Sequence, residues 1–538
     1  MPGSHAYLCG CWRFALCAPL LGGCVLPPVT AKGDDAAADM HTVAEMLPTS
    51  VSVVPQTMAV MDAGSSKPTI RSDAATPEAS TQPAAADSAA TSACDQQNGG
   101  CEQHCVVDSP SQSHCECEAG ALLKPNGKDC WNWQPSQKLN RAPAAGRDGR
   151  AIVLSATDEA LVAWGQGNPM SIRTRRKPRM GEWAAELALP TPGQTISDPV
   201  LTQSPNGTAL ERWMQWCDAD CSATTSQTSG WISRFDLATG WSAPTRFAES
   251  CVTWVSPVAA NSKGDFAVGY QNDYRDPKEL VVVPFFEGKL GAAHVLATGA
   301  KVDLDQNDLQ LLVGGDRTLT ALYFLGDGLF ESQASHGGQW GAARRIATVS
   351  PCTYSGACEL RAAFDREGDG VIVWQLAVAD SSAAHDIFYA QRKNGQWSAP
   401  AKLSEEHATG PFMLGGNETG DAILGYTALV AADQPTELRL ARYTKTAGWA
   451  AQTLPVAEVA AAMPAVGISP DGHVVAAWMA RTDNAYDIWT SQAHSGEWSQ
   501  PQLISSHTYS FYLAVGVDIA MVSLFYENTG DYSVAQLD

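Results

Sequence analysis

Side chains suited to gripping a sugar or a peptide gather in a few segments of this sequence. Trp254, Tyr274, Tyr354 and Tyr486 carry rings that stack on apolar sugar faces, and Asp218 and Asp220 are carboxylates that accept hydroxyl hydrogen bonds. Asp303-Leu304-Asp305-Gln306-Asn307-Asp308 offers hard oxygens to calcium, but lacks the glycine and distal glutamate of an EF-hand loop and reads as a solvated loop. Glu405-Glu406-His407 reads as a charged turn. The basic run Arg173, Arg175, Arg176, Lys177 and Arg179 reads as a solvated strand edge that resists further pairing, rather than a contact for an anionic envelope polymer. There is no Gly-x-Ser-x-Gly elbow, no His-Glu-x-x-His helix and no phosphate-cradling glycine loop. Carboxylates from separate loops could cleave a glycan, yet the sequence does not single out such a pair. The expectation is therefore a binding protein with no catalytic residue, metal or cofactor. A glycan or a surface protein is the expected partner, and an extracellular glycan hydrolase or lyase is the alternative.

Bulk properties narrow the partners. The formal charge of the 538 residues is −22, which repels nucleic acid and anionic bilayers. No run approaches the ~20 apolar residues of a spanning helix. Residues 1–31 read as an export signal, with Arg13 before an apolar stretch from Phe14 to Leu26. Two processing sites stay open. Leu21-Gly22-Gly23-Cys24 resembles a bacterial lipobox, in which Cys24 would be lipidated and supply the sole membrane contact. Val29-Thr30-Ala31 fits ordinary signal cleavage and a secreted product. Either route leads out of the cytoplasm, where disulfides persist. Residues 32–93 are rich in Ala, Asp, Ser, Thr and Pro without an aromatic, and are expected to be a disordered linker.

From 131 to 538 one pattern recurs about every fifty residues. A short apolar strand leads to a turn such as Lys263-Gly264-Asp265 or Gly368-Asp369-Gly370. A second strand ends in an aromatic: Trp164, Trp213, Tyr270, Tyr323, Trp374, Tyr426, Trp478, Phe525. An alternating third strand follows, and then a Gly turn into a fourth opened by Trp183, Trp241, Trp340, Trp397, Trp449 or Trp498, with Leu290 once. Four short strands at this period predict an all-β, eight-bladed β-propeller, with seven blades as the alternative. The last repeat lacks its fourth strand, and 133–139 resembles one, so pairing of the two ends is expected to close the ring. In such a ring the aromatic and acidic candidates lie on the face that carries the interblade and second-to-third loops.

Of fifteen cysteines, six fall at 94, 101, 105, 115, 117 and 130, and from spacing alone they allow fifteen pairings. The spacing, with Asn98-Gly99-Gly100 and the turn Pro125-Asn126-Gly127, resembles the EGF-like family over 94–130. That resemblance implies Cys94–Cys105, Cys101–Cys115 and Cys117–Cys130. Ala90-Thr91-Ser92-Ala93 lacks the ligands of the family's calcium-binding subtype, so the module reads as a non-calcium spacer or protein contact. Farther on, Cys352–Cys358 is the expected bridge. Cys217–Cys221 is a second, although Cys251 could take either partner. The ending Gly395-Gln396-Trp397-Ser398-Ala399-Pro400 resembles repeats of sialidase-like propellers, without the Asp those repeats carry in the turn. Arg234, Arg392 and Arg442 recur at similar places in different repeats. They read as framework or surface rather than as the three arginines sialidase chemistry needs.

Overall fold

A computed structural model describes residues 94–538 apart from 142–150, 192–195, 217–227, 249–251, 273–276, 300–308, 350–357, 379–383, 430–436, 455–460, 482–485 and scattered shorter stretches. The described residues are all-β, with one 3-10 turn at Gln97–Gly100 and no α-helix. Apolar alternation at a period of two drives this, since each strand buries one or both faces.

Between Ala151 and Leu537 the strands form antiparallel meanders. Six sheets hold one meander each and a ten-stranded sheet holds two, making eight units, numbered here as sheets 1–8 in chain order. Their first strands are Ala151–Leu154, Ile196–Gln203, Val252–Val255 with Ala259–Ala260, Leu309–Val313, Cys358–Phe364, Met413–Gly416, Ala461–Ile468 and Ser510–Val515. Each first strand lies against the first strand of the next sheet, and that of sheet 8 lies against that of sheet 1. The eight first strands thus form an inner ring. Strand Gln137–Lys138 supplies the fourth strand of sheet 8, pairing Lys138 with Ser533 and Gln137 with Val534.

Packing follows the ring. Leu161 and Ile172 meet Leu201 and Trp213 between sheets 1 and 2. Val371 and Val373 meet Ala422 and Leu424 between sheets 5 and 6. Ile152 and Trp164 meet Met521 and Tyr532 between sheets 1 and 8. A single sheet cannot bury its own faces, so each neighbour does it. The second-strand aromatics are the deepest of these groups, with Trp164, Trp213, Trp374 and Trp478 at most 1% exposed.

Two local devices repeat. In the turn between first and second strands, a Ser, Asn or Asp side chain accepts backbone N–H groups two and four residues on, as Asn417 does from Thr419 and Asp421. These turns are linked sideways, for example by Asn261 Nδ2 to Gly314 O at 2.9 Å and Asn417 Nδ2 to Ser469 O at 2.9 Å. The last turn meets the first, because Val517 N donates to Asp158 Oδ1 at 2.7 Å. Gly264 takes φ +79° in one such turn, where a Cβ would meet Thr208 Oγ1 at 2.4 Å.

The second device corrects the expected fourth strand. In sheets 2, 5 and 7 it does not run on from its Trp but breaks after it, as at Gln396–Trp397 then Ala401–Lys402, whereas Gly448–Gln452 of sheet 6 runs on through Trp449. In these three sheets the Trp-Ser-x-Pro sequence accounts for the break. Ser242, Ser398 and Ser499 each offer the side-chain oxygen to a third-strand N–H, at 3.0, 3.0 and 3.2 Å. The proline two residues on has no N–H to continue the ladder.

Candidate functional site

In a meander the starts of first and third strands share one end, together with the loops from sheet to sheet. Tyr486 opens the third strand of sheet 7 and is 37% exposed. Its carbonyl accepts Thr508 N at 2.9 Å, which ties it to the segment entering sheet 8. Trp254 lies on the first strand of sheet 3 opposite Gln271. Tyr274, Tyr354, Asp218, Asp220, Asp303, Asp305, Cys24, Cys217, Cys221, Cys251 and Cys352 lie outside the described residues. Cys358 is disulfide-bonded.

The same end holds residues that the sequence analysis missed. Met413, Met463 and Tyr512 stand on the first strands of sheets 6, 7 and 8, and are 37%, 43% and 44% exposed. They are the large apolar groups that the inner ring leaves open on three consecutive sheets. Met463 sits at φ +51° inside a bulge between Ala462 and Ala465. Left-handed backbone at a non-glycine residue costs energy, and bulges re-aim side chains. First-strand bulges recur in sheets 2 and 3, between Ser197 and Val200 and between Val252 and Trp254.

Buried charge also collects on these strands. Glu359 and Arg361 alternate onto the side of sheet 5 that faces sheet 6, and they form an ion pair. Glu359 Oε2 also accepts Phe412 N at 3.2 Å from the segment entering sheet 6. That connection is itself paired, because His407–Ala408 bridges the third strand of sheet 5 and the second of sheet 6. Around it His407 Nδ1 lies 2.8 Å from Asp386, and Arg439 Nε lies 2.8 Å from Glu406. The hydrogen bond from Arg439 holds the Glu406 carboxyl below the usual range. Glu406 and His407, read as part of a charged turn, thus cross-link two sheets. His385 opens the adjacent third strand, and burial lowers its imidazole pKa.

Glu211 and Arg212 depart most from the repeat. They occupy second-strand positions where other sheets have Val162-Ala163, Ile372-Val373, Leu424-Gly425 and Ala476-Ala477. Arg212 Nη2 donates to Val255 O of sheet 3 at 3.2 Å. Glu211 lies on the side that carries Ala209 and Trp213, packed against sheet 1, and neither carboxylate oxygen has a hydrogen-bond partner. Burial pushes its pKa up to about 8, with Arg212 pulling the other way. Setting each repeat under the next would have shown this pair in the sequence.

Arg173, Arg175, Arg176 and Lys177 lie on the third strand of sheet 1 with Arg179 just beyond it, and the four arginines are partnered. Arg175 donates to Ala184 O and Leu139 O at 2.7 and 3.0 Å, Arg176 meets Glu159 at 2.5 Å, and Arg179 pairs with Asp518. Among the described residues no cluster of three or more His, Cys, Asp or Glu side chains could hold a metal ion.

No family model and no curated protein matches the sequence. Solved structures with a similar course include an ulvan-degrading polysaccharide lyase, at 10% identity over 74% of this chain and 95% of that one, with a TM-score of 0.42. The NanB sialidase of Streptococcus pneumoniae is 9% identical over 70% of each chain, at a TM-score of 0.34. An α-L-arabinofuranosidase of Fusarium graminearum is 13% identical over 54% of this chain and 93% of its own, at 0.30. The architecture described above rests on the sheet topology itself.

Proposed function

We propose that the chain is an exported, surface-displayed binding protein. In this reading 1–31 is a signal peptide, 32–93 a linker, 94–130 an EGF-like module and 131–538 an eight-bladed β-propeller. The propeller binds a glycan through the end of the ring where the sheet-to-sheet segments lie. One observation carries the reading: Met413, Met463, Tyr486 and Tyr512 are exposed together at that end, over three adjacent sheets. Rings and thioethers fixed on strands offer a surface on which the apolar face of a sugar packs with little loss of side-chain freedom.

The test is incubation of the purified protein with envelope polysaccharides, followed by mass spectrometry of both fractions. Selective depletion of one glycan, reduced at least about tenfold in affinity by Tyr486→Ala with Tyr512→Ala, is the expected result. Depletion unchanged by that double variant would refute the assignment of the surface. A second reading, glycan cleavage, is favoured by the ion pair of buried Glu359 with half-buried Arg361 on the inner ring. Cleavage products that vanish with Glu359→Gln would establish it over binding.

A further inference from the structure

The ring is closed by a short strand from the N-terminal side of the chain. Fourth strands elsewhere follow their own third strand in sequence, whereas Gln137–Lys138 must reach sheet 8 from the other end of the chain. It does so through two residue pairs, and both of its residues are exposed. Bringing distant ends together carries a loop-closure cost that so short a strand repays poorly.

The residues just before this strand make up the difference. Asn132 and Asp538 exchange two backbone hydrogen bonds at 3.1 Å, and Gln134 N donates to Gln536 O at 2.7 Å. Trp131 is 2% exposed and packs with Val475, Ala520 and Leu537 of sheets 7 and 8. Its indole stacks on the His473 ring at 3.9 Å with 4° between planes. His473 in turn meets Gln492 Oε1 at 3.0 Å, and Gln492 Nε2 donates to Trp131 O at 3.2 Å.

Trp131 is held from the other side by the cysteine-rich segment. It pairs with Leu122, and Cys130 pairs with Leu123. Cys130 is buried and bonded to Cys117, and the remaining bridges are Cys94–Cys105 and Cys101–Cys115. A two-residue hairpin is marginal alone, and the disulfide removes much of its freedom in the unfolded chain.

We propose that the disulfide-bridged segment 94–130 is the latch of the ring: by seating Trp131 on His473 it keeps the strand 137–138 on the last sheet. It acts as a working part of the fold rather than as a spacer.

Hydrogen exchange with mass spectrometry on the oxidised full chain tests this, comparing wild type with Trp131→Ala. Exchange in 133–139 and 531–537 should accelerate about a hundredfold or more, while 319–325 and 370–377 keep their protection. Acceleration confined to 94–130, or equal in all sheets, would overturn the proposal. If Trp131→Ala fails to fold, the double variant Cys117→Ala with Cys130→Ala gives the same comparison. There too, unchanged exchange in 531–537 refutes the latch.

Discussion

Replacing Glu211 with glutamine should flatten the dependence of stability on pH between about 5 and 8. The carboxyl is fully buried, has no hydrogen-bond partner and has its pKa raised to about 8 from an ordinary 4.5. Burial disfavours the charged form, and Arg212 recovers part of that cost. Below pH 4.5 the group is protonated in both folded and unfolded chains, and the fold keeps its full stability. Between 4.5 and 8 the unfolded chain ionises and the folded one does not, so each pH unit removes about 1.4 kcal/mol. Above 8 both forms are ionised and the loss levels off. From pH 5 to pH 8 the wild type should therefore lose on the order of 4 kcal/mol relative to Glu211→Gln. Glu211→Leu, which installs the residue found at this place in sheet 6, should behave like the glutamine variant and be more stable at pH 8. Urea unfolding of the three proteins at several pH values reads this directly. Parallel curves for wild type and Glu211→Gln would show that the carboxyl is hydrated or paired, and the reasoning would fail.

His473 carries the opposite sign. Its pKa is lowered to about 4, mainly by burial, with Gln492 and Asp471 opposing and His494 and Lys124 adding to the shift. The stability it provides is present above pH 6.5 and is lost as pH falls towards 4, by about 3 kcal/mol. His473→Phe, which keeps the stack on Trp131, should abolish that acid loss in the same unfolding assay, and an unchanged acid limb would contradict it. Trp374 is 1% exposed and stacks on Phe388 at 6.0 Å. Trp374→Ala should cost about 3–5 kcal/mol, well above Trp397→Ala on the half-buried fourth strand. Equal losses in thermal or urea unfolding would mean that the second-strand aromatics are not the keystones of the sheet interfaces.

The fold was legible because its signals are local and repeated. Each Gly turn, each second-strand aromatic and the Trp-Ser-x-Pro ending restates the same four strands. Even the repeat in which Leu290 replaces the Trp forms a complete sheet. The break in the fourth strand is written in Ser398 and Pro400, which the sequence reading used only for a resemblance to sialidase-like repeats. The serine oxygen replaces a carbonyl in the ladder, and this exchange leaves no mark on hydrophobic periodicity. The pairing of Trp131 with His473 was illegible for another reason. Neither residue belongs to a motif, and what joins them is the return of the chain after a full circuit of the ring.

The candidate surface was harder to see, because sequence reasoning looked for recognition in loops and the exposed groups stand on strands. Along a strand, alternation assigns every second residue to a buried face, so Met463 and Tyr512 pass as core. A bulge breaks that rule by shifting the register one residue, as between Ala462 and Ala465. The inner ring adds a second reason. First strands converge on the axis, where neighbouring sheets cover the sides of a strand but leave its ends open. A side chain there counts as buried by pattern and exposed by position. The residues that break the repeat in charge or in backbone are Glu211 with Arg212, Glu359 with Arg361, and Met463. Arg212 and Glu359 reach the next sheet as cross-links, so the departure that stays open to solvent is Met463.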